Sequence, residues 1–342
     1  MNAIEVENLT KVYGDLLAVD HVAFQVRRGE VFGFLGPNGA GKTTTQRMLT
    51  TLLEPTEGKI LIDGHDLARD PYPVKRRMGL VPEESNVYTE LTAWGNLMFT
   101  ARLYRVPRAE REARGRRLLE TFGLWEKRRV KVENFSKGMR RRLCIAMAII
   151  HRPTLLFLDE PTPGLDAQST RAIRDLIRQM NAPRPALSGA EGTTIFLTTH
   201  QIEEANLLCD RVAIINHGQI AAIDTPERLK AAFQRVQSVE VALEGLPESL
   251  RVSEPLGALP GVNKLVKMGD KWRLYTEDPS ALLPHVVDYA RSHDLRIVSL
   301  STLGPSLEDV FLEITGQEIG TVRHKSDAGP RRRGLGGKGR HR

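Results

Sequence analysis

Four short stretches hold residues whose types and spacing suit phosphate chemistry. GPNGAGKTT (Gly36, Pro37, Asn38, Gly39, Ala40, Gly41, Lys42, Thr43, Thr44) fits G-x-x-x-x-G-K-[ST] between an apolar strand pattern and a helical one. Its glycines let backbone N–H groups turn inward around a polyphosphate. Lys42 can reach the outer phosphates, and the Thr43 hydroxyl is placed for Mg2+. TLLFLDEP, Thr154–Pro161, is an apolar strand ending on two carboxylates. Open α/β sheets bind ligands at the C-terminal ends of their strands, so Asp159 is suited to hold Mg2+ or its water. Glu160 can polarise the attacking water, a role worth about 10²–10⁴-fold. TTIFLTTH carries His200 to the same sheet edge. There an imidazole can bond a γ-phosphate or order water, although a lone histidine is more often simply a satisfied surface or core group.

The fourth stretch, NFSKGMRRRL (Asn134–Leu143), is a polar turn entering a basic helix. Ser136 supplies a hydroxyl, Gly138 a bare backbone, and the helix start its free N–H groups and positive dipole end, a second anion site in one chain. Tyr13, in KVYG, lies between two strand patterns. It either packs into the core or stacks on a purine.

The elements that must position these residues follow from hydrophobic period. AIEVENL and HVAFQV alternate as half-buried strands, whereas VFGFL, TLLFLDE and TTIFLTTH are solid apolar runs, as in a sheet covered on both faces. KILIDG, MGLVPEE and RVAIINHGQIAAID add further strands. From about Glu90 to Lys131 the period turns helical and Arg/Glu-rich, an insertion into the α/β core. NAPRPALSGAEG (Asn181–Gly192) reads as a lengthened surface loop. After about Gln237 the pattern resets to βαββαβ, including a weak helix near Ser249–Leu259 and closed by SLEDVFLEITG, the order of a small ferredoxin-like unit.

The chain has 342 residues, 41% apolar and 27% charged, room for one large domain and a smaller one. The net charge of +7 is uneven. From Gln317 onward eight Lys/Arg stand against two Asp/Glu, a net of +6, which leaves +1 of the +7 for everything before it. A Gly- and Arg-rich tail of this kind cannot bury a core and either stays solvated or touches anionic lipid or RNA. No apolar run reaches bilayer length and the N-terminus lacks a signal pattern, so a cytoplasmic location is expected. Cys144 and Cys209 have no ligand partners at metal spacing and read as buried, reduced small hydrophobes.

Taken together, the motifs resemble the nucleotide-binding subunits of ATP-binding-cassette (ABC) transporters over about residues 2–230. KVYG matches the adenine-stacking segment (Tyr13), GPNGAGKTT the Walker A loop, FSKGM the family signature, LLFLDEP Walker B, PTPGLD the loop after it (ending in Asp166), and TTH the switch histidine (His200). Ser136 precedes Asp159 by 23 residues, which is family spacing. The resemblance implies an α/β P-loop NTPase cassette with a mixed-sheet core, an antiparallel β subdomain and an inserted helical subdomain. The expected boundaries are 1–235 for the cassette, with the helical subdomain at about 84–150, then 236–316 for a C-terminal α/β ferredoxin-like domain and 317–342 for the basic tail. It further implies ATP and Mg2+ as ligands, and a head-to-tail homodimer in which Ser136 and Gly138 hold the γ-phosphate of the partner's ATP. The C-terminal half resembles the extension of daunorubicin-resistance-type subunits. Those serve exporters whose ABC-2 permease is a separate chain, which places this one peripherally on the cytoplasmic membrane face.

Departures from the pattern are equally specific. Glu83 stands where the family has a glutamine; a carboxylate can still approach Mg2+ but cannot donate a hydrogen bond. Lys137, Met139 and Pro163 also differ from common family residues. A permease helix is expected beside NVYTELTAWGNL, received by Tyr88, Leu91 and Trp94, unless these side chains pack the insertion internally. The competing functions are an importer subunit, whose extension is usually β-barrel-like, and a non-transport ATPase on ribosomes or nucleic acid, which usually carries two cassettes or a long coiled coil.

Overall fold

The computed structural model describes residues 1–182, 192–232, 237–244 and 256–316. Most of the 181–192 loop, the 317–342 tail and most of the 249–259 helix lie outside the described residues. The chain divides into two units, Met1–Ser238 with Leu303–Thr315, and Val239–Thr302.

The first unit opens with β1 (Asn2–Tyr13) and β2 (Leu16–Arg27), whose alternating apolar residues bury one face each. Then come β3 (Val31–Leu35), α1 (Lys42–Leu49), β4 (Glu57–Ile62), β5 (His65–Asp66), α2 (Tyr72–Lys75) and β6 (Met78–Val81). The helical insertion holds α3 (Ala93–Leu103), α4 (Arg108–Thr121) and α5 (Lys137–Ile149). The core resumes with β7 (Leu155–Asp159), α6 (Ala167–Asn181), β8 (Thr194–Thr199), α7 (Ile202–Leu208), β9 (Arg211–Asn216), β10 (Gln219–Asp224) and α8 (Pro226–Ala232).

Two sheets result. An antiparallel one has the order β2-β1-β4-β5, and a mixed one the order β10-β9-β3-β8-β7-β6, parallel throughout except at the β10 edge. Every residue of β3, β7 and β8 is buried, as a sheet covered on both faces requires. Phenylalanines fill the space between the sheets: Phe24 of β2 has its ring centroid 5.5 Å from those of Phe32 and Phe34 and 6.0 Å from that of Phe196. The other face is joined by apolar residues of α5, α6 and α7, among them Leu143, Ile173 and Leu208, with Leu97 of α3 and Leu119 of α4 in the same cluster. Side-chain caps start the helices where chain direction changes: Thr92 accepts from Gly95 N at 3.0 Å, and Ser136 from Met139 N at 3.2 Å.

The second unit contains most of β11 (Gln237–Glu244), then β12 (Lys264–Met268), β13 (Lys271–Thr276), the helix Pro279–Ser292 and β14 (Arg296–Leu303). Its strand order, β12-β13-β11-β14, is that of a ferredoxin-like sheet. One expectation is corrected. The last helix, Leu307–Thr315, belongs to the first unit instead of closing the second. Its apolar stripe of Leu307, Val310 and Phe311 joins Ala205, Leu208 and Leu229 in the cassette core.

Candidate active site

The glycine-rich loop is set by β3 and β8, which end together, and by β9 beside them. Leu35, the last residue of β3, pairs with Thr199 of β8 and Ile214 of β9. Gly36 N then donates to Thr199 O at 3.3 Å. A methyl group on Gly36 would lie 2.5 Å from Ile215 O. Gly41 caps α1 with φ +103°, and a methyl there would lie 2.7 Å from Ala18 O, so glycine is demanded at both loop shoulders. Pro37 accepts from Ala40 N at 3.2 Å, while Asn38 and Gly39 are exposed at the tip. Lys42 is buried at the first turn of α1, with Thr43 and Thr44 half-buried beside it. Its Nζ donates to Gly36 O at 2.8 Å and Pro37 O at 3.0 Å, and sits 3.6 Å from Glu160 Oε1. Burial lowers the Lys42 pKa, opposed by the charges of Glu160, Asp159 and Glu83.

The carboxylates project from the end of β7. Asp159 Oδ1 accepts from Thr198 Oγ1 at 2.5 Å and from Thr43 Oγ1 at 3.4 Å. Two hard oxygen donors side by side suit Mg2+, which characteristically takes one or two protein oxygens together with substrate phosphates. Glu83 is exposed on the segment after β6, and its charge is felt at Lys42. Glu160 occupies the left-handed region, φ +45°, which is costly for a residue with a Cβ and typical of functional sites. Its buried carboxylate is bracketed, with Lys42 on one oxygen and, on Oε2, His200 Nδ1 at 3.0 Å and His200 N at 3.4 Å. His200 remains partly open to solvent, 41% exposed at its side chain, so the group beside Glu160 can meet a ligand or water.

The second anion turn has other neighbours. Ser136 is exposed and caps α5, and among the described residues no hydrogen bond or ion pair joins Ser136 or Gly138 to residues 36–44. A methyl on Gly138 would instead lie 2.3 Å from Ser169 Oγ. Asp166 caps α6 through Ser169 N and Ser169 Oγ, both at 2.8 Å, and those bonds hold its pKa below the usual carboxylate range. Tyr13 ends β1 with 45% of its surface exposed and the Lys11 ammonium 5.4 Å from its ring centre. Ala18 of the same hairpin packs on Gly41 and Gly218, which brings this hairpin to the loop. Core packing of Tyr13 is thereby set aside. Cys144 and Cys209 are both free and buried.

Arg141 escaped sequence reasoning. The RRR run looks like a solvated basic face, yet Arg141 is 3% exposed. The signal was its helical register: Cys144, Ile145 and Ala148, three, four and seven residues on, are all buried. The aromatic expectation near residue 90 also needs correcting. Tyr88 and Leu91 are exposed, but Trp94 turns inward, its ring 6.0 Å from that of Trp125, and Phe99 takes the surface place beside Tyr88 at 5.0 Å.

With this geometry in hand, comparison with known proteins is decisive. The family model described as "ABC transporter" matches residues 19–163, and that for the "ATP-binding protein DrrA1-3-like, C-terminal domain" matches 225–315. The linearmycin resistance ATP-binding protein LnrL of Bacillus subtilis is 34% identical over 318 residues, covering 92% of this chain and 99% of its own. The daunorubicin/doxorubicin resistance ATP-binding protein DrrA of Streptomyces peucetius is 38% identical, covering 92% of each chain. The chain belongs to the ATP-binding subunits of ABC transporters. Like the family, this ABC subunit binds and hydrolyses ATP. A solved ATP-binding subunit of an ABC transporter superposes with a TM-score of 0.60 at 32% identity, covering 68% of this chain and 93% of that one. A dimeric ATP-binding cassette in a post-hydrolysis state with ADP and phosphate gives 0.58 at 26% identity, covering 65% and 98%. The C-terminal model begins before the second unit. Both ends of its match, α8 and the last helix, pack together within the cassette.

Proposed function

We propose that this ABC subunit drives an export permease of the ABC-2 class, a separate membrane-spanning chain, from the cytoplasmic face of the membrane. The observation that carries this reading is the end-to-end similarity to subunits named for export and drug resistance. The Nod factor export ATP-binding protein I of Ralstonia nicotianae, 35% identical over 92% of this chain, extends the set beyond antibiotics. No helix among the described residues is long and apolar enough to cross a membrane. Transport therefore needs a docking face. Exposed Tyr88, Leu91 and Phe99 supply an apolar one on the helical insertion. Fully buried Asn96 keeps it in shape, accepting from Tyr88 N at 2.8 Å and donating to Tyr88 O at 2.9 Å.

In the proposed cycle Tyr13 stacks on adenine and the 36–44 loop wraps the phosphates, with Lys42 turning from its own loop carbonyls to the β- and γ-oxygens. Mg2+, when bound with ATP, would supply charge neutralisation to the phosphates. Thr43 and Asp159 would hold it, with Glu83 close enough to approach. Glu160 takes up the proton of the attacking water, and His200 steadies both that carboxylate and the γ-phosphate. Ser136 and Gly138, turned away from their own loop, complete the ATP site of a second copy in a head-to-tail dimer, where Asp166 meets the facing subunit.

Inside-out vesicles carrying the subunit and its co-encoded permease test export. ATP-dependent uptake of a fluorescent anthracycline or polyene, abolished by Glu160→Gln, supports it. Absence of uptake across such a panel, together with ATP hydrolysis indifferent to the permease, would overturn it.

A further inference from the structure

Arg141 spends its whole donor set on main-chain carbonyls. Nε donates to Pro161 O at 3.1 Å, Nη2 to Asp159 O at 2.5 Å and Glu160 O at 2.9 Å, and Nη1 to Glu83 O at 3.1 Å and to Pro82 O. A guanidinium has five N–H groups, and all five are engaged. The acceptors come from two places, the end of β7 with the two residues after it and the segment leaving β6. Those are the segments that present Asp159, Glu160 and Glu83. The left-handed turn at Glu160 takes its carbonyl out of the strand ladder, and Arg141 supplies the donor that the neighbouring strand does not. An arginine kept for charge pairing would face carboxylate oxygens; this one fixes the path of the backbone.

We propose that Arg141 is a positioning residue for ATP hydrolysis, locking the strained main chain at Glu160 so that its carboxylate stays between Lys42 and His200. The inference rests on Glu160 acting on the attacking water. The planar five-donor fork is required, because a lysine at this depth offers three donors from a single point and leaves carbonyls unsatisfied.

The test is Arg141→Lys in the full chain, read by steady-state phosphate release, binding of a fluorescent ATP analogue and thermal melting. The expected result is a folded protein that binds nucleotide within about threefold of wild type. Its KM should be equally close and its kcat down by about 10²-fold, the cost of a misplacement near 1 Å. Wild-type kcat, or parallel loss of binding and turnover in a folded variant, would overturn the proposal. Glu160→Gln run alongside separates the two readings, since wild-type turnover in that variant removes the role of Glu160 itself. If Arg141→Lys does not fold, hydrogen exchange on the wild-type chain decides. Peptides over 81–84, 137–143 and 157–162 should open as one unit with a common denaturant dependence, and independent opening of 157–162 would overturn it.

Discussion

Glu160 and His200 are joined side chain to side chain, with Oε2 of the carboxylate 3.0 Å from Nδ1 of the imidazole. The other carboxylate oxygen faces Lys42 at 3.6 Å, so one buried group is held from two sides at a backbone angle it would not adopt unaided. Glu160→Gln keeps the shape and removes the proposed proton acceptor. Phosphate release should fall by about 10²–10⁴-fold with ATP binding retained. His200→Ala leaves the acceptor and removes its brace, and should cost about 10–10²-fold in kcat with a smaller change in KM. Equal, full activity of either variant would separate that residue from the chemistry.

Glu83 adds a third carboxylate where a hydrogen-bond donor is usual in the family. It is exposed, its carbonyl is pinned by Arg141, and its charge pulls on Lys42. Glu83→Gln removes the charge felt at Lys42 and restores an N–H donor without moving the backbone. Turnover should rise by about 1.5- to 5-fold, the size an exposed charge interaction carries. An unchanged rate of phosphate release in Mg-ATP would mean that the missing donor is immaterial here.

Gly138 is the point where the anion turn meets α6. A methyl there would press on Ser169 at 2.3 Å from Oγ and 2.9 Å from Cβ, and Ser169 is itself tied to Asp166. In a Glu160→Gln background, Gly138→Ala should raise the ATP concentration needed for dimer formation by about tenfold, the scale of modest overpacking. Adding Ser169→Gly should recover most of that loss. Solution mass against Mg-ATP concentration reads both, and dimerisation of Gly138→Ala at the wild-type ATP concentration would refute it.

The legible and illegible parts of this molecule differ by a physical criterion. Lys42, Thr43, Asp159, Glu160 and His200 could be placed from sequence because each follows a solid apolar run, and a strand buried on both faces delivers whatever follows it to one sheet edge. Short-range periodicity also marked the Leu307–Thr315 stripe as one face of a helix. Which surface that face covers depends on long-range packing, and an amphipathic helix beside a ferredoxin-like pattern has two apolar surfaces to choose from. Arg141 was hidden for another reason. Its role lies in backbone carbonyls of two separate segments, the one leaving β6 and the turn at Glu160, and no residue type announces a carbonyl left for a side chain.

Glu204 offers a test of stability with a definite sign. It lies in α7 with no solvent exposure, and its Oε1 accepts from Thr162 Oγ1 at 2.9 Å. Burial pushes its pKa up, only partly offset by the Thr199 and Thr162 bonds and the Arg174 charge, and the Glu160 charge pushes the same way. A carboxyl whose folded pKa lies above its unfolded value stabilises the fold below the unfolded pKa, and that contribution is lost as pH rises through the folded one. Glu204→Gln keeps the acceptor for Thr162 and cannot ionise. Its melting temperature should therefore exceed that of wild type at pH 8, and the difference should shrink toward about pH 4, where glutamate in the unfolded chain also protonates. A constant difference across that range would mean that the charge on Glu204 is compensated in the folded state. A lower melting temperature for Glu204→Gln at pH 8 would show that the buried charge is stabilising, held by Arg174 more strongly than burial opposes it.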